Sequence, residues 1–203
     1  MTGHRTILPN EVKGKMDRGG IGAIDGSPDR AHYTFQGGAG ENVASLVAMG
    51  VAILLRRGQT VAFAETLTGG MLSNLWHGEA EVDRILNGAL VFSSVESSLW
   101  PLLGVTGVFL ENFGISSREV ALAAAEGVRE LMRSDFSIAM GGMTDRRLAR
   151  GDCAFWLAIR TPTRKIVQRI DASATGRDLL RERACYAACK VFLQVLFEED
   201  VAT

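Results

Sequence analysis

Lysine is scarce in this 203-residue sequence, which contains only Lys13, Lys15, Lys165 and Lys190. Arginine makes up most of the basic side chains, and 22 basic residues against 23 acidic ones leave a formal net charge of −1. A chain without excess charge of either sign has no electrostatic attraction for polyanions or for anionic lipid surfaces. We therefore expect neither a nucleic acid nor a membrane as a partner.

Cysteine is also rare, with Cys153, Cys185 and Cys189 each lying in an apolar stretch. The number is odd, and Cys185 and Cys189 share one helical face, so buried free thiols are expected rather than disulfides or a metal site. No apolar run reaches the ~18 residues that a membrane-spanning helix needs, and the N-terminus has no signal-peptide core. These features predict a cytoplasmic protein without a bound metal.

What the sequence does have is apolar content for a core, with 47% hydrophobic and 22% charged residues. That balance fits one globular domain. Residues 1–40 differ, because they are rich in glycine and show no sustained apolar period. We expect residues 1–40 to be an extended or disordered arm and residues 41–203 to form the folded domain.

Apolar spacing within residues 41–203 alternates between helical and strand periods. Residues 88–94 are apolar on both faces and are predicted to be a central strand, whereas polar residues mark 166–170 as an edge strand. Ser116 and Glu119 have the spacing of a capping box. The predicted fold is a single three-layer α/β domain in which helices cover a central mixed sheet. The predicted helices are 43–57, 71–78, 96–103, 105–114, 116–133 and 177–197, and the predicted strands are 61–64, 88–94, 136–140, 153–159 and 166–170.

The most informative stretch is residues 60–72, in which an apolar strand meets a glycine turn and then a helical period restarts. A helix N-terminus leaves backbone N–H groups free and carries partial positive charge, so it suits a phosphate, a carboxylate or an oxyanion. The alternative is a simple cap, with Thr68 as N-cap and Gly69 and Gly70 allowing close packing. His77, which lacks a metal-ligand companion at useful spacing, is expected to be a surface or packed histidine.

Several short motifs, taken in order, resemble the C-terminal domain of the CinA (competence/damage-inducible protein) family over residues 43–198. This resemblance implies that family's fold and its activity, hydrolysis of the amide of nicotinamide mononucleotide, with no cofactor. In the family a serine is the nucleophile, and a tyrosine and a lysine of a Y-S-N-x-x-K stretch activate it. The motifs are Ala-Glu-Thr-Leu-Thr-Gly-Gly at 64–70, Gly-Val at 104–105, Gly-Ile-Ser at 114–116, Ala-Leu-Ala at 121–123, Glu-Gly at 126–127, Gly-Arg at 176–177 and Arg-Glu-Arg-Ala at 181–184.

This sequence departs from the family at each of the catalytic positions. Thr66 stands where the family has serine, and Phe-Ser-Ser at residues 92–94 lacks the tyrosine hydroxyl. No lysine lies between Lys15 and Lys165, so residues 96–99 offer no base. Loss of the groups that activate a nucleophile removes most of the rate enhancement of such a unit.

The residues that would bind a ligand are largely retained. Arg177 and Arg181, at positions i and i+4, could clamp a phosphate or carboxylate, or else pair with Asp178, Glu182 or a neighbouring subunit. Glu65 is expected to orient the motif as a hydrogen-bond acceptor. Arg146, Arg147 and Arg150 could add to an anion site or lie in a solvated loop. The resemblance thus implies ligand binding by Glu65, Thr68, Gly69, Gly70, Ser93, Ser94, Arg177 and Arg181.

Three hypotheses for function follow. In the first, the chain is a degenerate family member that keeps a pocket for a pyridine nucleotide-like anion but has lost the hydrolytic unit. In the second, it is an active amidohydrolase in which Thr66 replaces the serine, activated by Glu96 or a water. In the third, the pocket is vestigial and the chain acts through oligomer formation. A homo-oligomer is expected in any case.

Overall fold

The structure is a computed structural model of the chain, and it describes residues 32–34, 42–92, 96–141, 154–172 and 176–201. Those residues contain two short 3-10 turns, Val82–Arg84 and Pro101–Leu103. Their helices are α1 Val43–Arg57, α2 Met71–His77, α3 Gly107–Phe113, α4 Arg118–Met132 and α5 Arg177–Val201. Their strands are β1 His32–Thr34, β2 Val61–Glu65, β3 Leu86–Val91, β4 Phe136–Met140, β5 Ala154–Arg160 and β6 Lys165–Asp171.

The strands form one 6-stranded mixed sheet in the order β1-β6-β5-β4-β2-β3. Strand β2 lies between β3 and β4 and runs parallel to both. Strand β5 is antiparallel to β4 and β6, and β1 is parallel to β6. The carboxyl ends of β2, β3 and β4 therefore meet at one edge of the sheet, and the segments that follow them start there.

Helices cover both faces of the sheet, as the sequence predicts. On one face, apolar side chains of α1, α2 and α5 pack into a core with the strands. On the other, α3, α4 and the Pro101–Leu103 turn enclose a second, smaller core. The predicted three-layer α/β domain is confirmed, because the strands near the middle of the sheet need apolar cover on both faces.

Helix ends follow local side-chain chemistry. Asn42 Oδ1 accepts a 3.1 Å hydrogen bond from the Ala44 N–H at the start of α1, and the helix ends at Gly58 with φ of 62°, as predicted. The predicted capping box at Ser116 is wrong by one residue. Ser117 Oγ accepts from the Val120 N–H at 3.1 Å, so Ser117 is the N-cap of α4.

Three other element predictions are corrected by the structure. Among the described strands, β3 lies at the edge of the sheet and is not central. Apolar residues on both faces of a strand predict that helices cover both faces. They do not predict whether a neighbouring strand pairs with each of its two edges. Strand β6 is not an edge strand, since β1 pairs with it in the register His32 to Arg169. Of the predicted helix 96–103, only Pro101–Leu103 forms a helical turn. The rest of the predicted arm, residues 1–31 and 35–40, lies outside the described residues, so its extended or disordered state stays a prediction.

The cysteines that the structure describes are buried free thiols. Cys185 and Cys189 both face the core from α5, and Cys153 lies outside the described residues. Burial raises the pKa of Cys189 to about 12, with the Trp76 side chain acting in the opposite direction. Burial also raises the pKa of Cys185. Both thiols are therefore protonated at neutral pH and are poor nucleophiles.

Gly127 lets α4 approach the Pro101–Leu103 turn at very short range. A β-carbon at this position would stand 2.2 Å from the Leu103 carbonyl oxygen and 2.5 Å from its carbonyl carbon. Both atoms belong to the backbone and cannot rotate away. The glycine is therefore required by packing, although it weakens the helix locally.

We expect Gly127→Ala to destabilise the domain. Forcing the turn away from α4 costs about 1–3 kcal/mol, which outweighs the gain in helix propensity of about 1 kcal/mol. The matched control is Gly107→Ala in α3, where a β-carbon would meet nothing within 4 Å. Urea unfolding should show a loss for the first variant and no loss for the second. Equal stability of the two variants would contradict this packing argument.

Candidate functional site

Strands β2 and β4 are parallel neighbours, so their carboxyl ends lie side by side. From β2 the chain passes through α2 to β3, whereas β4 leads towards β5 on the opposite side. The strands that follow β2 and β4 in the chain therefore lie on opposite sides of this pair. In open α/β sheets such a switch point, at the carboxyl ends of the strands, is where ligands bind. Thr66, directly after β2, and Gly141, directly after β4, lie at this point.

Thr66 is buried, and its hydroxyl links the ends of β2 and β4. Its Oγ1 donates a 2.7 Å hydrogen bond to the carbonyl oxygen of Met140, the last residue of β4. A hydroxyl nucleophile has to pass its proton to a base. Here the proton points at a backbone carbonyl, which cannot accept it permanently.

The adjacent Glu65 is fully buried, and its carboxylate fastens the glycine turn to the start of α2. Charge-assisted bonds of this kind are about twice as strong as neutral ones. The donors come from the turn and from the first turn of α2. Oε2 accepts from Thr68 Oγ1 at 2.7 Å and from the Gly70 and Leu72 N–H groups at 3.1 Å each, and Oε1 accepts from the Ser73 N–H at 2.8 Å.

This arrangement corrects two expectations about the turn. Thr68 does not cap α2, because its hydroxyl donates to Glu65 and the N-cap position is Gly70. The N–H groups of Gly70, Leu72 and Ser73 are not free for a ligand anion, because the carboxylate of Glu65 already accepts from them. The chain supplies its own anion to the helix start. Glu65 therefore acts as the orienting acceptor.

The first glycine of the turn, Gly69, lies next to Arg181 of α5. Gly69 has φ of 62° and Gly70 has φ of 91°, conformations that favour glycine. The Arg181 Nη2 atom lies 3.5 Å from the position that a β-carbon of Gly69 would take. Arg181 therefore lies against the turn, although the two are far apart in the sequence.

Among the described residues, the Arg181 guanidinium has only a weak ion-pair partner. Its Nη1 lies 3.8 Å from Asp178 Oδ1, but the Asp178 side chain is 91% exposed, and such a pair is weak. Its Nε is buried without a hydrogen-bond partner in the described part of the chain. Arg177 is exposed at the start of α5 and has interactions of its own.

The described lysines are occupied elsewhere. Lys165 Nζ lies 3.0 Å from Glu126 Oε2, which Arg160 Nε also contacts at 2.7 Å. Partial burial raises the pKa of Glu126, but the hydrogen bonds and charges of Arg160 and Lys165 outweigh it and lower that pKa overall. Lys190 is buried on α5, where its Nζ lies 3.3 Å from the Tyr186 hydroxyl.

Several candidate residues fall outside the site or outside the described residues. His77 is an exposed residue at the end of α2. Phe92 is buried against Trp100 in an edge-to-face contact, with ring centroids 4.6 Å apart. Val91, which no sequence motif singles out, borders the turn. Ser93, Ser94, Arg146, Arg147 and Arg150 lie outside the described residues.

Comparison with known proteins gives consistent matches. Residues 43–196 match the family model described as the CinA C-terminal domain. A CinA-like protein of Shewanella loihica is 31% identical over 98% of this chain and 48% of its own length. A CinA-like protein of Gloeobacter violaceus is 37% identical over 52% of this chain and 24% of its own length. The chain therefore spans half or less of the length of these curated relatives.

Solved structures share the fold. A CinA superfamily protein from Escherichia coli superposes with a TM-score of 0.71 at 19% identity, covering 85% of this chain and 99% of that one. A competence or damage-inducible protein from Enterobacter asburiae gives 0.69 at 24% identity, covering 77% and 99%. Among the helices that the structure describes here, none is long and apolar enough to cross a membrane.

Proposed function

The chain belongs to the family of CinA C-terminal domains, and from that membership we propose that it is a degenerate member that binds a nucleotide-like anion without hydrolysing it. The ligand class follows from the family resemblance, which points to pyridine nucleotides. The proposed site is the switch point after β2 and β4, together with the Gly69–Gly70 turn and Arg181.

The observation that carries the proposal is the hydrogen bond from Thr66 Oγ1 to the Met140 carbonyl oxygen. Thr66 occupies the nucleophile position, but its proton faces an acceptor that cannot serve as a base. Of the described lysines, Lys165 contacts Glu126 and Lys190 contacts Tyr186. Thr66 therefore lacks an activating partner among the described residues, which supports the loss of hydrolysis.

Retention of binding is supported by the surroundings of the turn. Gly69 and Gly70 expose backbone without side chains, and the Arg181 guanidinium lies against Gly69. Because the nearby Asp178 is exposed and 3.8 Å away, most of the charge of Arg181 remains available to a phosphate or carboxylate. A planar guanidinium can bind such a group through two parallel hydrogen bonds.

The test is a thermal-shift titration of the full chain with nicotinamide mononucleotide. At a hundredfold excess over Kd, a ligand stabilises the fold by about 2.7 kcal/mol, which corresponds to a rise in Tm of about 5–11 °C at this size. We expect Arg181→Gln to remove most of this rise, because a charge-assisted contact is lost.

The matched control is Arg84→Gln, which removes an exposed arginine that pairs with Glu81 outside the site. It should leave the rise in Tm intact. A wild-type chain that gives no shift with the nucleotide, or an Arg181→Gln variant that keeps the full shift, would contradict the proposal. The first result would favour a structural role with a vestigial pocket.

The second candidate function is an active amidohydrolase in which Thr66 is the nucleophile. One observation favours it, because the Thr66 hydroxyl does lie at the switch point between β2 and β4. Both candidate functions predict nucleotide binding, so a binding measurement does not distinguish them. A measurement of ammonia release does, because only the active amidohydrolase releases ammonia.

A further inference from the structure

Val91 is a large apolar side chain that stands exposed at the carboxyl end of β3. It is 45% exposed, although the Ala89 side chain on the same face of the strand packs against the core. Val91 Cγ2 and Cγ1 lie 3.6 and 3.7 Å from the position that a β-carbon of Gly70 would take. An isopropyl group therefore borders the glycine turn at the carboxyl end of β3.

The turn thus has two chemically different flanks. Arg181 lies against Gly69, with Nη2 and Cζ at 3.5 and 3.7 Å from its β-carbon position, and the Val91 methyl groups lie against Gly70. The two glycines are consecutive, so their Cα atoms are ~3.8 Å apart. The cation and the apolar side chain therefore lie against two consecutive residues of the same turn.

The backbone that carries Val91 is held in place. The N–H of the next residue, Phe92, donates to the Glu65 carbonyl oxygen at 3.0 Å, and the Phe92 ring packs edge-to-face on Trp100. Val91 itself pairs with Glu65 in the parallel register of β3 and β2. The apolar flank is therefore a fixed part of the site rather than a side chain on a separate loop.

We propose that Val91 is a specificity-determining residue, which favours ligands that carry an apolar ring or alkyl group near the anion held by Arg181. This inference rests on the proposed function, because it assumes that Arg181 binds an anion at the turn. An apolar group that covers Val91 removes its methyl groups from water, which is favourable. A polar substituent at the same place gains no such contact.

The experiment compares inorganic phosphate with phenyl phosphate on the full chain, at about pH 8, where both probes are mainly dianions. Titration calorimetry gives the two Kd values. We expect phenyl phosphate to bind about tenfold more tightly, from burial of apolar surface on Val91. Val91→Thr keeps the shape and strand preference of valine but replaces a methyl group by a hydroxyl. It should remove most of the advantage of phenyl phosphate over inorganic phosphate.

Val91→Ile is the conservative variant and should retain the advantage. Equal Kd values for both probes in the wild type would overturn the inference while leaving the proposed function standing. The same holds for an advantage that survives unchanged in Val91→Thr. Binding of neither probe would overturn the proposed function, and the inference with it.

Discussion

Replacement of Glu65 by alanine is expected to lower the free energy of unfolding by about 4 kcal/mol, because each buried donor left without an acceptor costs about 1–3 kcal/mol. The carboxylate is fully buried and accepts from Thr68 Oγ1 and from the Gly70, Leu72 and Ser73 N–H groups. Alanine offers no acceptor, and little water can enter to replace one. The fall in Tm should be about 8–16 °C.

Urea unfolding followed by far-UV circular dichroism measures this effect. Glu65→Gln serves as a second variant, since it keeps the volume but presents an NH2 group to one set of donors. Its loss should be smaller than that of Glu65→Ala. Glu111→Ala, at an exposed position of α3, is the control and should change stability little. A Glu65→Ala variant as stable as the control would show that the carboxylate does not hold the turn.

The importance of Glu65 shows what sequence reasoning can and cannot reach at this site. The strand, the glycine turn and the start of α2 are predictable, because apolar period and glycine position are local signals. The identity of the cap is not. Residues 66–69 fold back so that the Glu65 carboxylate, and not the Thr68 hydroxyl, meets the N–H groups of α2. That choice depends on three-dimensional geometry.

For the fold as well, local sequence signals predict the elements but not their three-dimensional arrangement. The alternation of helices and strands predicts a three-layer α/β domain, and the structure confirms it. The place of a strand in the sheet depends on pairing between distant segments. Residues 86–91 are apolar enough for a central strand, yet β3 pairs only with β2 among the described strands. This edge position is what leaves Val91 exposed beside Gly70.

The family resemblance implies which residues bind a ligand, but it does not give their geometry. Arg181 does lie at the turn, as a clamp for an anion would require. The expected helix-terminus site is different, because Glu65 already accepts from its N–H groups. In the proposed function, recognition of a ligand at this turn therefore depends on Arg181 and on neighbouring side chains rather than on the N-terminus of α2.

Hydrolysis of nicotinamide mononucleotide by the full chain is expected to stay at least about 10³-fold below that of a complete serine hydrolase unit, because loss of activating groups has effects of that size. The reason is local: Thr66 Oγ1 donates to the Met140 carbonyl oxygen at 2.7 Å and has no described lysine as a partner. Ammonia release, measured with saturating nucleotide, is the readout. Thr66→Ser should not restore activity, since the acceptor of its proton remains the same carbonyl.

The variant that decides between the two candidate functions is Thr66→Val, which keeps the branched shape of threonine and removes only the hydroxyl. If the chain binds without hydrolysing, this variant should lose about 1 kcal/mol of stability with the hydrogen bond to Met140, while its nucleotide-induced rise in Tm persists. If Thr66 is a nucleophile, the wild type releases ammonia well above background and Thr66→Val abolishes that release while still folded. Ammonia release by the wild type that is lost in Thr66→Val would require a base for Thr66. That outcome would overturn the degenerate assignment and leave the role of Arg181 in binding intact.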